Sequence, residues 1–224
     1  MSDGFLHIPV LLRPDELDRI EALAAEADFI DGKTTASWPA SDVKNNHQVE
    51  AGSEPLQAIQ TILSNALSSS PLFGVAAMPK RVYPFVVSKY GPGDHYGWHV
   101  DSPMMGDPPL RTDLAMTIFL SDPQSYQGGE LIIQAGNGQS GFKPARGDAI
   151  VYPCQYLHCV NQVSEGTRLA AVTWIESNVK NVEQRQMLFT LNQIYGSLLH
   201  RLPDAHETTM LMQVHSNLVR MWAD

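Results

Sequence analysis

The sequence predicts a mainly β protein with flanking helices, in which short antiparallel strands close into a sandwich or a jelly-roll barrel. Three observations predict this fold class. Residues 81–178 contain short apolar segments separated by Gly, Pro, Asp and Asn. No segment of helical length interrupts them before about Asn181, which disfavours a parallel βαβ sheet. Helical periodicity surrounds this region, so we expect residues 1–80 to form an N-terminal helical flank, residues 81–178 the β core and residues 179–224 two C-terminal helices, all in one structural unit.

The N-terminal flank contains two predicted helices separated by a polar segment. The first covers residues 14–27, where a proline and two acidic residues form a typical first turn before an apolar stripe. Residues 28–52 are polar and interrupted by glycine, proline and asparagine, so we interpret them as mostly loop. The second helix begins near Ser53, and its apolar residues repeat at helical spacing. These residues are Leu56, Ile59, Leu63 and Leu67.

Five short apolar segments form the predicted β core. They are rich in the β-branched and aromatic residues that favour strands. Their bounds are 81–90, 114–120, 130–134, 149–152 and 168–175. Turn signals at Gly128-Gly129 and at Gly136-Asn137-Gly138 separate them.

The C-terminal region returns to helical periodicity, with a break at Pro203. Apolar residues mark one helix before the break and another after it, and this apolar tail is compatible with a homodimer. The marking residues are Met187, Leu188, Leu191, Ile194 and Leu198, then Leu211, Val214, Leu218 and Met221.

The net charge disfavours one class of partner. The formal charge is −9, with 15 Lys and Arg against 24 Asp and Glu, and no basic cluster compensates locally. Nucleic acid is therefore not an expected partner. The first residues have neither a basic start nor a long apolar run, so we expect no membrane span.

Cys154 and Cys159 are five residues apart and would face opposite sides of an extended segment. This geometry disfavours a disulfide between them and fits a cytoplasmic location.

A His-x-Asp pair is the first informative chemical feature. On an extended chain, residues two apart face the same side, so His99 and Asp101 can close on one metal ion. His158 is the best third ligand, because it lies between two predicted strands. Two imidazoles and one carboxylate leave open positions on the metal, as in non-haem iron(II) oxygenases. Arg168, at the start of the next strand, could return beside the metal and bind a carboxylate with its planar fork.

Each of these residues also has a simpler interpretation. A lone His-x-Asp is usually a chance pair of surface residues. His158 could be a packed core histidine, and Arg168 could be an exposed charge. Their order and context together favour the metal site. A helical zinc pair of His95 and His99 is rejected, because glycine and proline flank the pair and no glutamate follows His95.

At this point the sequence resembles the prolyl 4-hydroxylase-like dioxygenases, through Tyr-Gly-Pro-Gly-Asp-His-Tyr-Gly-Trp-His-Val-Asp at residues 90–101. The similarity continues through further motifs and is closest to the bacterial PKHD-type hydroxylases, covering nearly the whole chain. These motifs lie at residues 43–46, 117–122, 128–131, 147–148, 173–175 and 217–222, together with His158 and Arg168.

The resemblance implies a double-stranded β-helix that uses Fe(II), 2-oxoglutarate and O2, with L-ascorbate as a further candidate cofactor. It implies that Arg168 binds the C5 carboxylate of 2-oxoglutarate and that Tyr90 hydrogen-bonds the same co-substrate. Related enzymes have a tyrosine where Phe119 stands, and a phenyl ring cannot donate that hydrogen bond. The implied iron ligands are His99, Asp101 and His158.

The implied activity is hydroxylation of an unidentified substrate, a small molecule or a peptide, with release of succinate and CO2. A non-catalytic iron or 2-oxoglutarate sensor on the same fold is the alternative, and Arg168 disfavours a metal-dependent hydrolase or isomerase. Four further residues are candidates for the pocket. They are Asn45, Asn46, Thr117 and Trp174.

Overall fold

The computed structural model describes residues 4–35, 40–136 and 138–224. Its α-helices are α1 (Pro14–Glu26), α2 (Glu54–Ser68), α3 (Pro71–Ala77), α4 (Val182–Arg201) and α5 (His206–Trp222). Its strands are β1 (Leu6–Ile8), β2 (Phe29–Asp31), β3 (Lys44–Asn45), β4 (His47–Val49), β5 (Pro79–Val82), β6 (Val86–Tyr90), β7 (His95–His99), β8 (Met104–Met105), β9 (Leu110–Arg111), β10 (Leu114–Phe119), β11 (Tyr126–Gly128), β12 (Leu131–Ala135), β13 (Gly138–Phe142), β14 (Ala149–Pro153), β15 (Leu157–Val160), β16 (Val163–Gly166) and β17 (Arg168–Ser177).

The strands pair into two main antiparallel sheets. The larger sheet has the order β1-β14-β10-β17-β6-β4-β2, with β5 also pairing with β17, and the smaller has the order β13-β12-β15-β7-β3. Strand β10 is buried on both faces: alternate residues from Leu114 pack under the helices, and those from Ala115 face the interior between the sheets. This arrangement confirms the predicted mainly β class with flanking helices.

Helices α1 and α2 cover the outer face of the larger sheet, as the apolar spacing predicts. Ile59 and Leu63 of α2 are completely buried there, and full burial of each such side chain contributes about 1.5–3 kcal/mol. The Ser53 hydroxyl caps α2 by accepting a hydrogen bond from the backbone N–H of Leu56 at 3.4 Å. The short helix α3, capped in the same way by Ser70, is absent from the sequence-based expectation.

The interpretation of residues 28–52 as mostly loop is wrong for three short segments. Strands β2 and β4 extend the larger sheet beyond β6, and β3 extends the smaller sheet beyond β7. Strands β3 and β4 are short and mainly polar, with little strand propensity of their own, whereas β2 begins with Phe29 and Ile30. Partner strands supply the hydrogen bonds of all three. Residues 4–80, expected as a helical flank, therefore also contribute β1–β4 to the two sheets.

Glycines separate the strands where the sequence places turn signals. Gly128 and Gly129 both have positive φ, at 74° and 68°, and redirect the chain from β11 into β12. Gly136 and Gly138 flank the β12–β13 hairpin, and Asn137 between them lies outside the described residues.

The C-terminal helices α4 and α5 pack mainly against each other and bury few residues on the barrel. Met187 and Met221 remain more than half exposed, and the homodimer expected from this tail stays a prediction. Within the described ranges, no helix is long and apolar enough to span a membrane. Cys154 and Cys159 are buried free thiols, as expected.

Candidate metal centre

Two neighbouring strands of the smaller sheet bring the predicted metal ligands together. His99 ends β7, Asp101 follows two residues later, and His158 lies on β15. The antiparallel register places His158 directly opposite His99, so both imidazoles project from one face at the same level.

The donor atoms of these three residues converge on one point. Nε2 of His99 lies 4.0 Å from Oδ1 of Asp101, and Nε2 of His158 lies 3.7 Å from the same oxygen. Two donors bound to one ion at ~2.1 Å can be at most about 4.2 Å apart, so both pairs can share an ion. Oδ2 of Asp101 is buried and has no hydrogen-bond partner in the described protein. A buried carboxylate oxygen without a partner is costly unless a cation completes it, so the site fits a metal.

Backbone carbonyls fix the orientation of both imidazoles. Nδ1–H of His99 donates to the Gly97 carbonyl at 2.8 Å, and Nδ1–H of His158 donates to the Tyr156 carbonyl at 3.0 Å. Because a carbonyl can only accept, each Nε2 keeps its lone pair for the metal. Burial, with His158 nearby, lowers the pKa of His99 to about 3, so this ligand is neutral at physiological pH.

Two tyrosines hold the imidazole rings, and the sequence reasoning missed both. The Tyr96 ring stacks on His99 with centroids 3.6 Å apart, and the Tyr152 ring meets His158 nearly edge-on at 5.1 Å. Alternate residues of β14 face the interior, and Tyr152 is one of them, since it is paired with the inward-facing Ala115 of β10. This alternation was the signal that could have identified Tyr152.

Arg168 lies on the other side of the same cavity. The β17–β6 register pairs it with Tyr90, and its side chain is only 2% exposed. Its guanidinium carbon lies 5.0 Å from the ring centroid of Tyr90 and 5.5 Å from that of Phe119. In the described parts of the chain, no carboxylate lies within 4.0 Å of this guanidinium, and its Nε has no hydrogen-bond partner. Because a buried charge without a counter-ion is unfavourable, this arginine is suited to bind an anionic ligand.

Gly129 makes room for the Arg168 side chain. A Cβ at this position would lie 2.9 Å from Cδ of Arg168 and 3.0 Å from the Tyr126 ring. The Gly128-Gly129 signal, which the sequence identifies only as a turn, thus also shapes the arginine site.

The metal ligands and Arg168 line one cavity of about 420 Å³ between the sheets. This volume lies within the range of roughly 300–1,000 Å³ typical of small-molecule sites. Thr117 and Trp174 also line it, and the indole Nε1 of Trp174 is buried without a hydrogen-bond partner among the described residues. Tyr90 also lines the cavity, and burial raises the pKa of its hydroxyl against the opposing effects of Arg168 and Asn46.

The segment that contains β3 and β4 contributes alternate residues to the cavity. Lys44, Asn46 and Gln48 are buried and line it, whereas Asn45 is exposed and its amide points to the Gly93 carbonyl at 3.5 Å. Asn45, expected in the pocket, is therefore outside it. The reason is the two-residue period of an extended chain, which a loop interpretation could not reveal.

Two family models match the chain. Residues 85–176 match the 2OG-Fe(II) oxygenase superfamily, and residues 183–224 match the PKHD-type hydroxylase C-terminal domain. The first match contains the three converging ligands and Arg168, and the second covers almost all of α4 and α5.

Similar proteins cover nearly the entire chain. A PKHD-type hydroxylase of Picosynechococcus sp. is 38% identical over 220 residues, which is 98% of this chain and 100% of that protein. The PKHD-type hydroxylase YbiX of Escherichia coli K12 is 37% identical over 221 residues, covering 97% of this chain and 98% of that protein.

Solved structures share the fold at low identity. A prolyl hydroxylase from Trichoplax adhaerens, in complex with a hypoxia inducible factor oxygen degradation domain peptide fragment, has a TM-score of 0.57 at 16% identity, covering 84% of this chain and 87% of its own. HygX from Streptomyces hygroscopicus, with nickel, 2-oxoglutarate and hygromycin B bound, has a TM-score of 0.55 at 15% identity, with coverages of 80% and 85%. These structural similarities confirm the predicted double-stranded β-helix fold.

Proposed function

The chain belongs to the PKHD-type hydroxylases of the 2OG-Fe(II) oxygenase superfamily, and on this premise we propose that it hydroxylates a C–H bond of a prime substrate while 2-oxoglutarate and O2 become succinate and CO2. The family uses Fe(II), 2-oxoglutarate and O2. The observation that carries the proposal is one cavity containing both a convergent His-Asp-His set and a buried arginine without a counter-ion.

His99, Asp101 and His158 hold Fe(II) in this proposal. Two neutral imidazoles and one carboxylate are the donor set of non-haem iron oxygenases, and they leave positions open for co-substrate and O2. Bound Fe(II) supplies the redox chemistry that couples oxidative decarboxylation of the 2-oxo acid to oxygen insertion into a C–H bond. The carbonyls of Gly97 and Tyr156 keep the imidazoles in the tautomer that can bind the metal.

Arg168 binds the C5 carboxylate of 2-oxoglutarate. Its planar fork can form two charge-assisted hydrogen bonds, and the buried site strengthens both. Tyr90 adds a hydroxyl donor next to the guanidinium, whereas Phe119 offers only its ring face. Thr117 and Trp174 complete the inner wall, and the Trp174 N–H is available for a polar group of a bound molecule.

The alternative of a non-catalytic sensor is not favoured. A degenerate binding module can tolerate the loss of some of these residues, yet the described site retains the three convergent donors and the arginine. The fold itself leaves the substrate class open, since one neighbour was solved with a peptide and another with hygromycin B.

Oxygen-18 labelling tests the proposed reaction. With Fe(II), 2-oxoglutarate and labelled O2, the succinate formed should contain one labelled oxygen, as detected by mass spectrometry. His99→Ala should abolish succinate formation. The matched control is His95→Ala, which removes a histidine from the same strand that does not line the cavity. Unlabelled succinate, or equal turnover by His99→Ala, would contradict the proposal.

A further inference from the structure

A polar wall lines the cavity on the side formed by β3, β4 and the residue between them, and it contains neither a predicted metal ligand nor Arg168. Nζ of Lys44 donates to the Thr35 hydroxyl at 2.9 Å, and that hydroxyl donates to Oε1 of Gln48 at 2.5 Å. Nε2 of Gln48 donates in turn to the Ser88 hydroxyl at 3.2 Å. The chain of hydrogen bonds fixes the Lys44 side chain in place, and these four residues all line the cavity.

The ammonium group of Lys44 lies close to the metal centre. Its Nζ is 5.3 Å from the centroid of the Tyr96 ring, which in turn stacks on His99. Lys44 is only 5% exposed, and no carboxylate of the described residues lies within 4.0 Å of it. Burial lowers the pKa of Lys44 to about 8, against the opposing effects of Asp31 and Asp101. With a single neutral acceptor in Thr35, the ammonium group has donors available for a ligand.

The Asn46 amide is the second polar group of this wall that could bind a ligand. Asn46 is 2% exposed and lines the cavity near Tyr90, the pKa of whose hydroxyl it lowers. Neither its Oδ1 nor its Nδ2 makes a hydrogen bond of good geometry in the described structure. Its amide packs against Gly32, where a Cβ would lie 1.9 Å from Oδ1. Because buried amides are normally satisfied, this group points to a polar ligand that the protein itself does not supply.

Charge balance indicates the sign of that ligand. Within the described chain, the charged side chains that line the cavity are Lys44, Asp101 and Arg168. The two charges of Fe(II) are balanced by the two carboxylates of 2-oxoglutarate, and Asp101 balances Arg168. Asp31 also acts on Lys44, but it is exposed and does not line the cavity. Among the charges that line the cavity, Lys44 is then the one left over, and burying it without a close counter-ion beside a loaded metal centre is unfavourable.

We propose that Lys44, with the Asn46 amide two residues along the same wall, binds a carboxylate of the prime substrate, which is therefore a small carboxylic acid. This inference rests on the proposed oxygenase function. A single cavity of about 420 Å³ has to hold the co-substrate as well, which favours a small acid over an acidic peptide. Lys44 would act as a specificity-determining residue, holding the acid so that a C–H bond at a fixed distance from the carboxylate faces the metal.

Matched acid and amide probes test this inference. The protein is loaded anaerobically with Fe(II) and 2-oxoglutarate, and N-acetylglycine, benzoate and their carboxamides are titrated by calorimetry. A blocked glycine peptide with one central glutamate is the third probe, and the visible charge-transfer band verifies that 2-oxoglutarate stays bound. The variant is Lys44→Met, which keeps the length of the side chain. Its control is Lys89→Met, which removes an ammonium group lying over the Phe29 ring and not lining the cavity.

At least one acid should bind the wild type and Lys89→Met tenfold or more tightly than its amide, a difference of about 1.4 kcal/mol. Lys44→Met should lose this preference and keep the charge-transfer band. Equal affinity for acid and amide, absence of binding by every probe, or an unchanged preference in Lys44→Met would overturn the inference. Binding of the peptide alone would replace the small acid with a peptide substrate, and loss of the band in Lys44→Met would assign the lysine to the co-substrate. Failure of the oxygenase proposal is distinct, because the wild type would then form no band.

Discussion

Replacing Arg168 with methionine should separate folding stability from co-substrate binding. The guanidinium is buried without a carboxylate partner among the described residues, and desolvating such a charge costs several kcal/mol. Contacts with the rings of Tyr90 and Phe119 offset only about 1–2 kcal/mol each. Desolvation dominates in the ligand-free protein, so Arg168→Met should raise its free energy of unfolding by about 1 kcal/mol. That increase corresponds to roughly 2–4 °C in Tm.

The same substitution should weaken 2-oxoglutarate binding. Each charge-assisted hydrogen bond is worth about 1.5–3 kcal/mol, so loss of the bidentate pair should cost about 3 kcal/mol, or roughly 100-fold in affinity. Thermal unfolding without ligand and anaerobic 2-oxoglutarate titration measure the two effects. Arg185→Met is the matched control, because that buried arginine donates to the carbonyls of Val179 and Lys180 at 2.6 and 2.9 Å. The control should be destabilised with normal affinity; an Arg168→Met protein that keeps its affinity would refute the assignment.

Further predictions concern the co-substrate site and the polar wall. Gly129→Ala should weaken 2-oxoglutarate binding several-fold, because its Cβ would press on Arg168, whereas Gly74→Ala, with open space around it, should leave affinity unchanged. Tyr90→Phe should weaken the same affinity by about 1 kcal/mol, or roughly fivefold, and an unchanged titration would show that the hydroxyl does not contact the co-substrate. The preference for acids over amides should decline as pH rises through about 8, because Lys44 loses its charge above its lowered pKa, and a preference constant over that interval would contradict this.

The sequence contained enough information for the fold class and for the four residues that meet in the cavity, but not for every strand of the barrel. His99 and Asp101 are recognisable because a two-residue spacing on an extended chain places both side chains on one face. His158 follows between two predicted strands, and Arg168 begins the second of them, where apolar periodicity is easiest to interpret. Strand β15, which carries His158, was not predicted. The helices α1 and α2 are predictable for the same reason, since their apolar faces are regular.

The polar side of the cavity could not be predicted, for a physical reason. Lys44, Asn46 and Gln48 alternate like strand residues, but their inward face is polar because it faces a cavity. A segment whose two faces are both polar has the composition of a loop. Pairing of β3 with β7 and of β4 with β6 is what makes this segment extended. Tyr96 and Tyr152 were missed since an aromatic residue in a strand is usually a core residue.

Anaerobic titration of Fe(II) into the protein with saturating 2-oxoglutarate tests the central claim most directly. A visible charge-transfer band should appear at one Fe(II) per chain, bleach on exposure to O2 and be followed by succinate. Asp101→Ala should form no band, because it removes the carboxylate whose oxygen lies within 4.0 Å of both histidine nitrogens. A wild-type protein without the band, or an Asp101→Ala protein with an identical one, would contradict the assignment of this cavity as the iron and 2-oxoglutarate site.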